Sequence, residues 1–492
     1  MNKTSGINGL EEEIAQVRLT HKFDREWLER YAKSLSARPF EPKELPPDNP
    51  LNQLDYDDYK KIQFERGATI WSREPRNFRV NPLHPGFLFK VPVKLNLVVG
   101  GISRRILYTT DIFNYDAEQQ ALKETDAGGY SGFSVTNRIN RENKWDEFLV
   151  FQGGSYFRAV GQTNWYGLSA RGLAVNTAKP TGEEFPVFSE FWIERPDEGA
   201  EKLVIHALME SQSVTGAFSF TVTPGEHTVV AVDSILFPRT TIDAFGIAPL
   251  TSMFLFSPMD ASRFDDFRPR VHDSDGLLIV KQNGERVWRP LANPIRLEVS
   301  AFSDINPGGF GLMQRSREFE QYQDIKAHYQ YRPSAWIEPV SNFGEGHIEL
   351  IEIPTDIEIH DNIVAFWQPK RPLEPGFGYE FDYKMHWGSL APIDRKPGRI
   401  VSSASGRTLN SETERDFVID FEADDIPDNL TIDASSSTGQ ITGAIQKIIP
   451  QNGRLRLVVK FEPGAEDVSE LRVSLFNENQ PWGETWLYRW TR

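Results

Sequence analysis

Residues 89–108 read FKVPVKLNLVVGGISRRILY. Val91, Val93, Leu95, Leu97 and Val99 alternate with Lys94, Asn96 and their neighbours. Side chains change face at every residue of an extended chain, so this period of two predicts a strand with one apolar face. Gly100-Gly101 can adopt positive φ, and a second apolar run, Ile102 to Tyr108, follows at once, which together predict a β-hairpin. The signature returns at Phe218, Phe220 and Val222, where Pro224-Gly225 precedes Val229 to Val232. Helical spacing is rare by comparison. Phe23 to Ala37 sets Trp27, Leu28, Tyr31, Ala32 and Leu35 on one side, with Asp24 as the expected N-cap.

Working outward, the chain divides into an N-terminal helix and extended lead-in (1–50) and a large antiparallel β-sandwich (51–388). A Gly- and Pro-rich linker (389–398) and a smaller sandwich (399–492) complete it. Short alternating runs at Phe417–Phe421, Leu455–Phe461, Leu471–Phe476 and Trp486, Tyr488, Trp490 suit an immunoglobulin-like sandwich. Trp486, Tyr488 and Trp490 are expected to close that core rather than to present a sugar platform. The expected fold class is all-β, and 492 residues call for more than one domain.

Composition narrows the chemistry by exclusion. Lys and Arg number 54 against 70 Asp and Glu, a formal charge of −16, which repels polyanions and argues against a nucleic-acid partner. A mean hydropathy of −0.46 and the lack of any apolar run of about 20 residues argue against a membrane span. Without cysteine there is no disulfide, thiolate ligand or thiol nucleophile. Met1–Leu10 has one lysine and no apolar core of the signal-peptide kind. The nine histidines show no zinc-ligand spacing, and His272-Asp273-Ser274-Asp275-Gly276 lacks the acidic pattern of a calcium loop. Gly129-Tyr130-Ser131-Gly132 and Gly167-Leu168-Ser169 miss the spacing of a nucleophile elbow, and Gly308, Gly309 and Gly311 lack the lysine of a phosphate loop. No metal or organic cofactor is expected.

Carboxylates and aromatics remain, the pairing used on sugars: one acid protonates a leaving oxygen, another activates water, and ring faces meet the C–H faces of pyranoses. The chain is 12% aromatic, which a thick sandwich core explains more readily than a sugar site does.

Eight blocks go further. They are FDREWLERYAKSLSARPF from Phe23, HPGFLF from His84, GGSYFRAVG from Gly153, YGLSARGLAV from Tyr166, FPVFSEFWIERP from Phe185, RPRVHDSDGL from Arg268, RPSAWIEP from Arg332 and DNIVAFW from Asp361. In this order, from Phe23 to Trp490, the chain resembles the osmoregulated periplasmic glucan biosynthesis family, which contains glucan biosynthesis proteins G and D. The resemblance implies a mutarotase-like sandwich followed by an immunoglobulin-like domain. It implies a periplasmic location and a β-1,2-linked glucan substrate, cut internally by inverting hydrolysis or transferred.

Carried over on the same blocks, Asp361 matches the family's general acid and Asp273 its proposed general base. Such an acid must hold a proton near neutral pH, while the base must be ionised and linked to water directly or through a relay. Trp367, His360 and His272 are candidates to desolvate or orient the acids. Tyr329 and Arg332 are candidates to line a sugar subsite, Arg332 by forked hydrogen bonds to hydroxyls, with Tyr156 and Arg158 behind them. On the residues alone, Asp361-Asn362 reads as a turn entering a strand and Asp273–Gly276 as an Asx-type turn. No residue of Thr408–Glu414 matches a cleft-closing loop, so hydrolysis and transfer both stay open. Two further readings compete: a non-catalytic glucan-binding factor serving a membrane glucan synthase, and, from fold alone, a sugar mutarotase.

Overall fold

The computed structural model describes residues 20–394 and 397–492, so the reading of Met1–Leu10 lies outside it. The protein is all-β: strands make up 48% of the structure and helices 9%. It divides into two compact units, each built from separated stretches of chain. Of the described residues, the first gathers 20–162, 170–248 and 371–385, and the second 163–169, 249–370, 386–394 and 397–492.

In the first unit the opening hairpin forms as the period of two requires. Strands Lys94–Val99 and Ile102–Ile106 pair antiparallel from Leu95↔Ile106 to Val99↔Ile102. Gly100 and Gly101 hold φ of 58° and 73°, the left-handed pair that matches a two-residue turn to strand twist. The strand begins later than the alternation suggested, because Val93 instead exchanges backbone hydrogen bonds with Tyr130. Lys94–Val99 runs parallel to Val187–Glu194, which leads antiparallel into Leu203–Glu210, Val214–Thr223 and Thr228–Pro238. A second sheet runs Tyr156–Ala159, Lys144–Gln152, Gly132–Arg141, Arg79–Leu83. Phe133, Phe151 and Phe157 of this sheet meet Phe188, Phe191 and Phe220 of the first, with centroids 5.0 to 6.2 Å apart. These rings form the apolar layer between two sheets.

Helix Arg25–Ser36 covers the outer face of the first sheet. Asp24 caps it by accepting the Trp27 N–H at 2.7 Å, and Leu28 and Ala32 pack on Trp192, Leu208 and Ala217.

The second unit contains the run Ser334–Pro339, Gly309–Met313, Gly276–Val280, Arg286–Pro290, Gln480–Thr491, Val468–Asn477, Thr431–Ser436. Arg399–Arg407, Arg415–Glu422, Leu455–Glu462 and Gln440–Ile448 form a four-stranded sheet. Phe417, Ile419, Leu457 and Phe461 from that sheet share one core with Leu471, Val473, Trp486 and Tyr488. A third set, Glu298–Ile305, Glu345–Glu352 and Ile363–Pro369, pairs antiparallel throughout. The two-stranded element Phe254–Phe256 with Val271–His272 is small, but it organises the candidate site.

Candidate functional site

The site grows from one backbone register. Phe254 pairs with His272, and Asp273, the next residue, donates its N–H to Met253 O at 2.8 Å. From the other direction, the buried Asn362 clamps the same strand. Its Oδ1 accepts the Phe254 N–H at 2.8 Å, and its Nδ2 donates to Phe254 O at 2.9 Å and to Ile353 O at 3.0 Å. Asp361 precedes Asn362, and Asp273 follows His272. Residues far apart in sequence are thus both one position from a partner of Phe254. Asn293 secures the far end of the loop that carries Asp361: its side chain donates to Leu255 O and Thr355 O and accepts the Thr355 N–H.

Asp361 is exposed, at the end of a loop leading into the strand Ile363–Pro369. Asp273 is nearly covered, with 8% of its surface open, and its Oδ1 lies 3.4 Å from Arg332 Nε. Arg332 also donates to Ala327 O at 2.9 Å, which holds the guanidinium beside the acid. Tyr329 is buried; its hydroxyl lies 3.3 Å from Glu358 Oε2, and Arg332 lies over its ring at 5.5 Å. Burial, then the carboxylates of Glu358 and Asp273, raise the Tyr329 phenol above its ordinary value.

Behind these groups the charges are balanced. His272 is fully buried, stacked on Phe254 at 5.3 Å and edge-on to Tyr322 at 5.4 Å, and burial lowers it to about 4. Burial alone would raise Asp275, but the charges of His272 and Arg270 and the N–H groups of Ser316 and Arg315 outweigh it and hold the carboxyl low. With His272 neutral at pH 7, that work falls to Arg270 and the two N–H groups. Arg268 meets three acids at once: Asp266 and Asp324 at 2.7 Å and Glu358 at 2.8 Å.

Asp361, Asp273, Tyr329 and Arg332 therefore belong to one set of loops in the second unit, with His272 buried beneath Asp273. Trp367 does not join them as a sugar-facing ring. It has no exposed surface and its Nε1–H donates to Phe343 O at 3.2 Å, so it is a core side chain, in a strand that is buried on both faces from Ile363 to Trp367. Tyr329 likewise lacks an open face for stacking and acts through its hydroxyl and its packing. Tyr156 and Arg158 stand on Tyr156–Ala159 in the first unit, both half-buried, with the Arg171 guanidinium 4.8 Å above the Tyr156 ring. His360 is exposed, with its Nδ1 3.3 Å from the Thr355 hydroxyl. Sequence reasoning passed over Arg268, Glu358 and Asp324. The block RPRVHDSDGL contains Arg268, but Asp324 and Glu358 lie in other loops and read as ordinary solvated charges.

A family model described as Periplasmic glucan biosynthesis protein, MdoG, matches residues 23–490. The chain is 43% identical over 476 residues to Glucans biosynthesis protein G of Vibrio cholerae serotype O1, covering 96% of this chain and 87% of that protein. It is 44% identical over 480 residues to the protein of that name from Shewanella frigidimarina, covering 96% and 85% respectively. The solved Slr1438 protein from Synechocystis overlaps 64% of this chain and 93% of its own at 9% identity and a TM-score of 0.18, a likeness too slight to carry an argument.

Proposed function

Because this chain belongs to the family of periplasmic glucan biosynthesis proteins, we propose that it shapes β-1,2-linked glucan in the periplasm by inverting endo-type cleavage, or by transfer of the cleaved chain. Asp361 is the general acid and Asp273 the general base. The observation that supports this most is the double attachment at Phe254: His272 pairs with it and Asn362 clamps it, so the backbone positions of Asp273 and Asp361 flank one short strand.

The chemistry follows from the surroundings. Asp361, on the exposed loop, gives its proton to the glycosidic oxygen as the C1–O bond breaks and the leaving chain takes the electron pair. Water attacks C1 from the opposite face, and its proton passes to Asp273 directly or through a relay. An inverting pair needs its carboxyls roughly 6.5 to 9.5 Å apart to admit that water. Arg332 beside Asp273 complements a charged base, and a bound sugar chain that excludes water favours the neutral form of an acid. On this reading the strands after 399 form an immunoglobulin-like domain, and the larger part is a mutarotase-like sandwich.

Incubation with linear β-1,2-glucan tests the proposal through new reducing ends and the anomer first released, which inversion makes α. Asp361→Asn is expected to lower turnover by about 10²- to 10⁴-fold, and Asp273→Asn by a comparable factor. Full turnover in Asp361→Asn sinks the assignment. Saturable binding without any cleavage by the parent chain favours instead a glucan-binding factor that serves a membrane glucan synthase.

A further inference from the structure

Beside the carboxylates stands an aromatic pair that the acid-base chemistry does not use. Trp165 and Tyr331 leave 51% and 44% of their surfaces open, with ring centroids 5.9 Å apart and planes inclined by 35°. A single exposed aromatic needs no explanation; two brought together from distant parts of the chain and left uncovered do. Their geometry is fixed by backbone. The Trp165 N–H donates to Tyr331 O at 2.9 Å, and Asn164 Nδ2 donates to the same oxygen at 3.4 Å. His328, in the left-handed conformation at φ 50°, sets its ring edge-on to Trp165 at 4.7 Å and lies 5.9 Å from Tyr331.

The same short loop reaches the carboxylate cluster. A Cβ added to Gly167 would stand 3.1 Å from both Cβ and Cδ of Arg332, so the arginine stem lies directly against the glycine backbone while its Nε faces Asp273. The turn Tyr329–Tyr331 thus buries Tyr329 towards Glu358 and turns Tyr331 out beside Trp165.

We propose that Trp165 and Tyr331 form a preassembled platform for one pyranose ring, a sugar subsite adjoining the Asp273–Arg332 pair. The proposal rests on the glucan reading above and deepens it. Two inclined rings offer apolar faces to the C–H surface of a pyranose, and the ordering cost is met by hydrogen bonds already made. Arg332, half-buried, follows Tyr331 directly along the chain. A guanidinium beside the rings suits sugar hydroxyls, and the patch is continuous with the Asp273–Arg332 pair of the glucan reading. The occupant is therefore a glucan chain whose reacting linkage lies towards Asp273.

The test measures calorimetric binding of linear β-1,2-glucan to the Asp361→Asn protein, so that cleavage does not intervene. Adding Trp165→Ala and Tyr331→Ala is expected to weaken affinity about tenfold or more, with the melting temperature within about 2 °C because both rings are exposed. Trp165→Tyr, which keeps a ring, is expected to recover most of the loss. Equal affinity with and without the rings overturns the platform and leaves the glucan reading standing. Ring-dependent binding by a parent chain that never cleaves glucan upholds the platform and overturns the catalytic reading. No binding by the parent chain overturns both.

Discussion

His272 shows how the interior tolerates a titratable group. It is held at about 4 because a charged imidazole has no water around it, and His84 in the first unit is lowered to about 4 by the same burial. His84 Nε2 lies 2.8 Å from the Tyr115 hydroxyl and Nδ1 close to Pro85 O, which suits a neutral ring that accepts at one nitrogen and donates at the other. The sign of the linkage is definite. A histidine lowered on folding binds fewer protons than its unfolded counterpart, so its contribution is intact above about pH 6.5 and is lost as pH falls towards 4. Asp266, lowered first by its hydrogen bonds from Arg268, adds a second loss that sets in below about pH 4. NMR titration should show the rings of His84 and His272 still neutral at pH 5.5, with urea stability already declining between pH 6.5 and 4. Either ring titrating near 6.5 would contradict this account. The sequence carried no sign of this. A histidine beside an aspartate reads as a catalytic pair, and only the stacking of Phe254 and Tyr322 around the ring reveals a buried group.

At the scale of elements, legibility followed locality. The helix at Arg25–Ser36 and the hairpin at 94–106 stood plainly in the sequence, because capping, spacing and the Gly-Gly turn all act within a few residues. Asp24→Ala should therefore cost about 1 kcal/mol in chemical denaturation, the usual worth of an N-cap hydrogen bond. The loop 353–362 is the contrary case. Its turn-like composition was legible, but its anchoring was not, since Asn293 and Phe254 reach it from elsewhere in the chain. On the proposed reading, Asn362 is a positioning residue for Asp361. Asn362→Ala leaves the Phe254 N–H and two carbonyls without their partner, at a cost of at least about 2 kcal/mol. Under conditions where the variant remains folded, kcat on β-1,2-glucan should fall while KM changes little, because the sugar contacts survive and the acid is misplaced. A rise in KM alone would show that the clamp serves binding instead.

For the whole molecule, composition fixed the class and left the assembly open. Alternation announced the strands, but the two compact units are each stitched from three stretches of chain, and nothing in local composition marks where chain leaves one and rejoins it. The net charge of −16 does carry a prediction at this scale. A polyanion would meet a repulsive field, and its binding would vary steeply with ionic strength through counterion release. An unsubstituted glucan carries no charge and has no counterions to release. On the proposed reading its contacts at Arg332 and at the aromatic pair would be hydrogen bonds and apolar faces, which screening by salt barely alters. Affinity for linear β-1,2-glucan should therefore change by less than about twofold between about 0.05 and 0.5 M salt, where a site built to neutralise phosphates would lose orders of magnitude. A steep decline with salt would mean that the ligand recognised is anionic, and the arginines around Asp273 would then have to be read as binding its charge rather than balancing the protein's own.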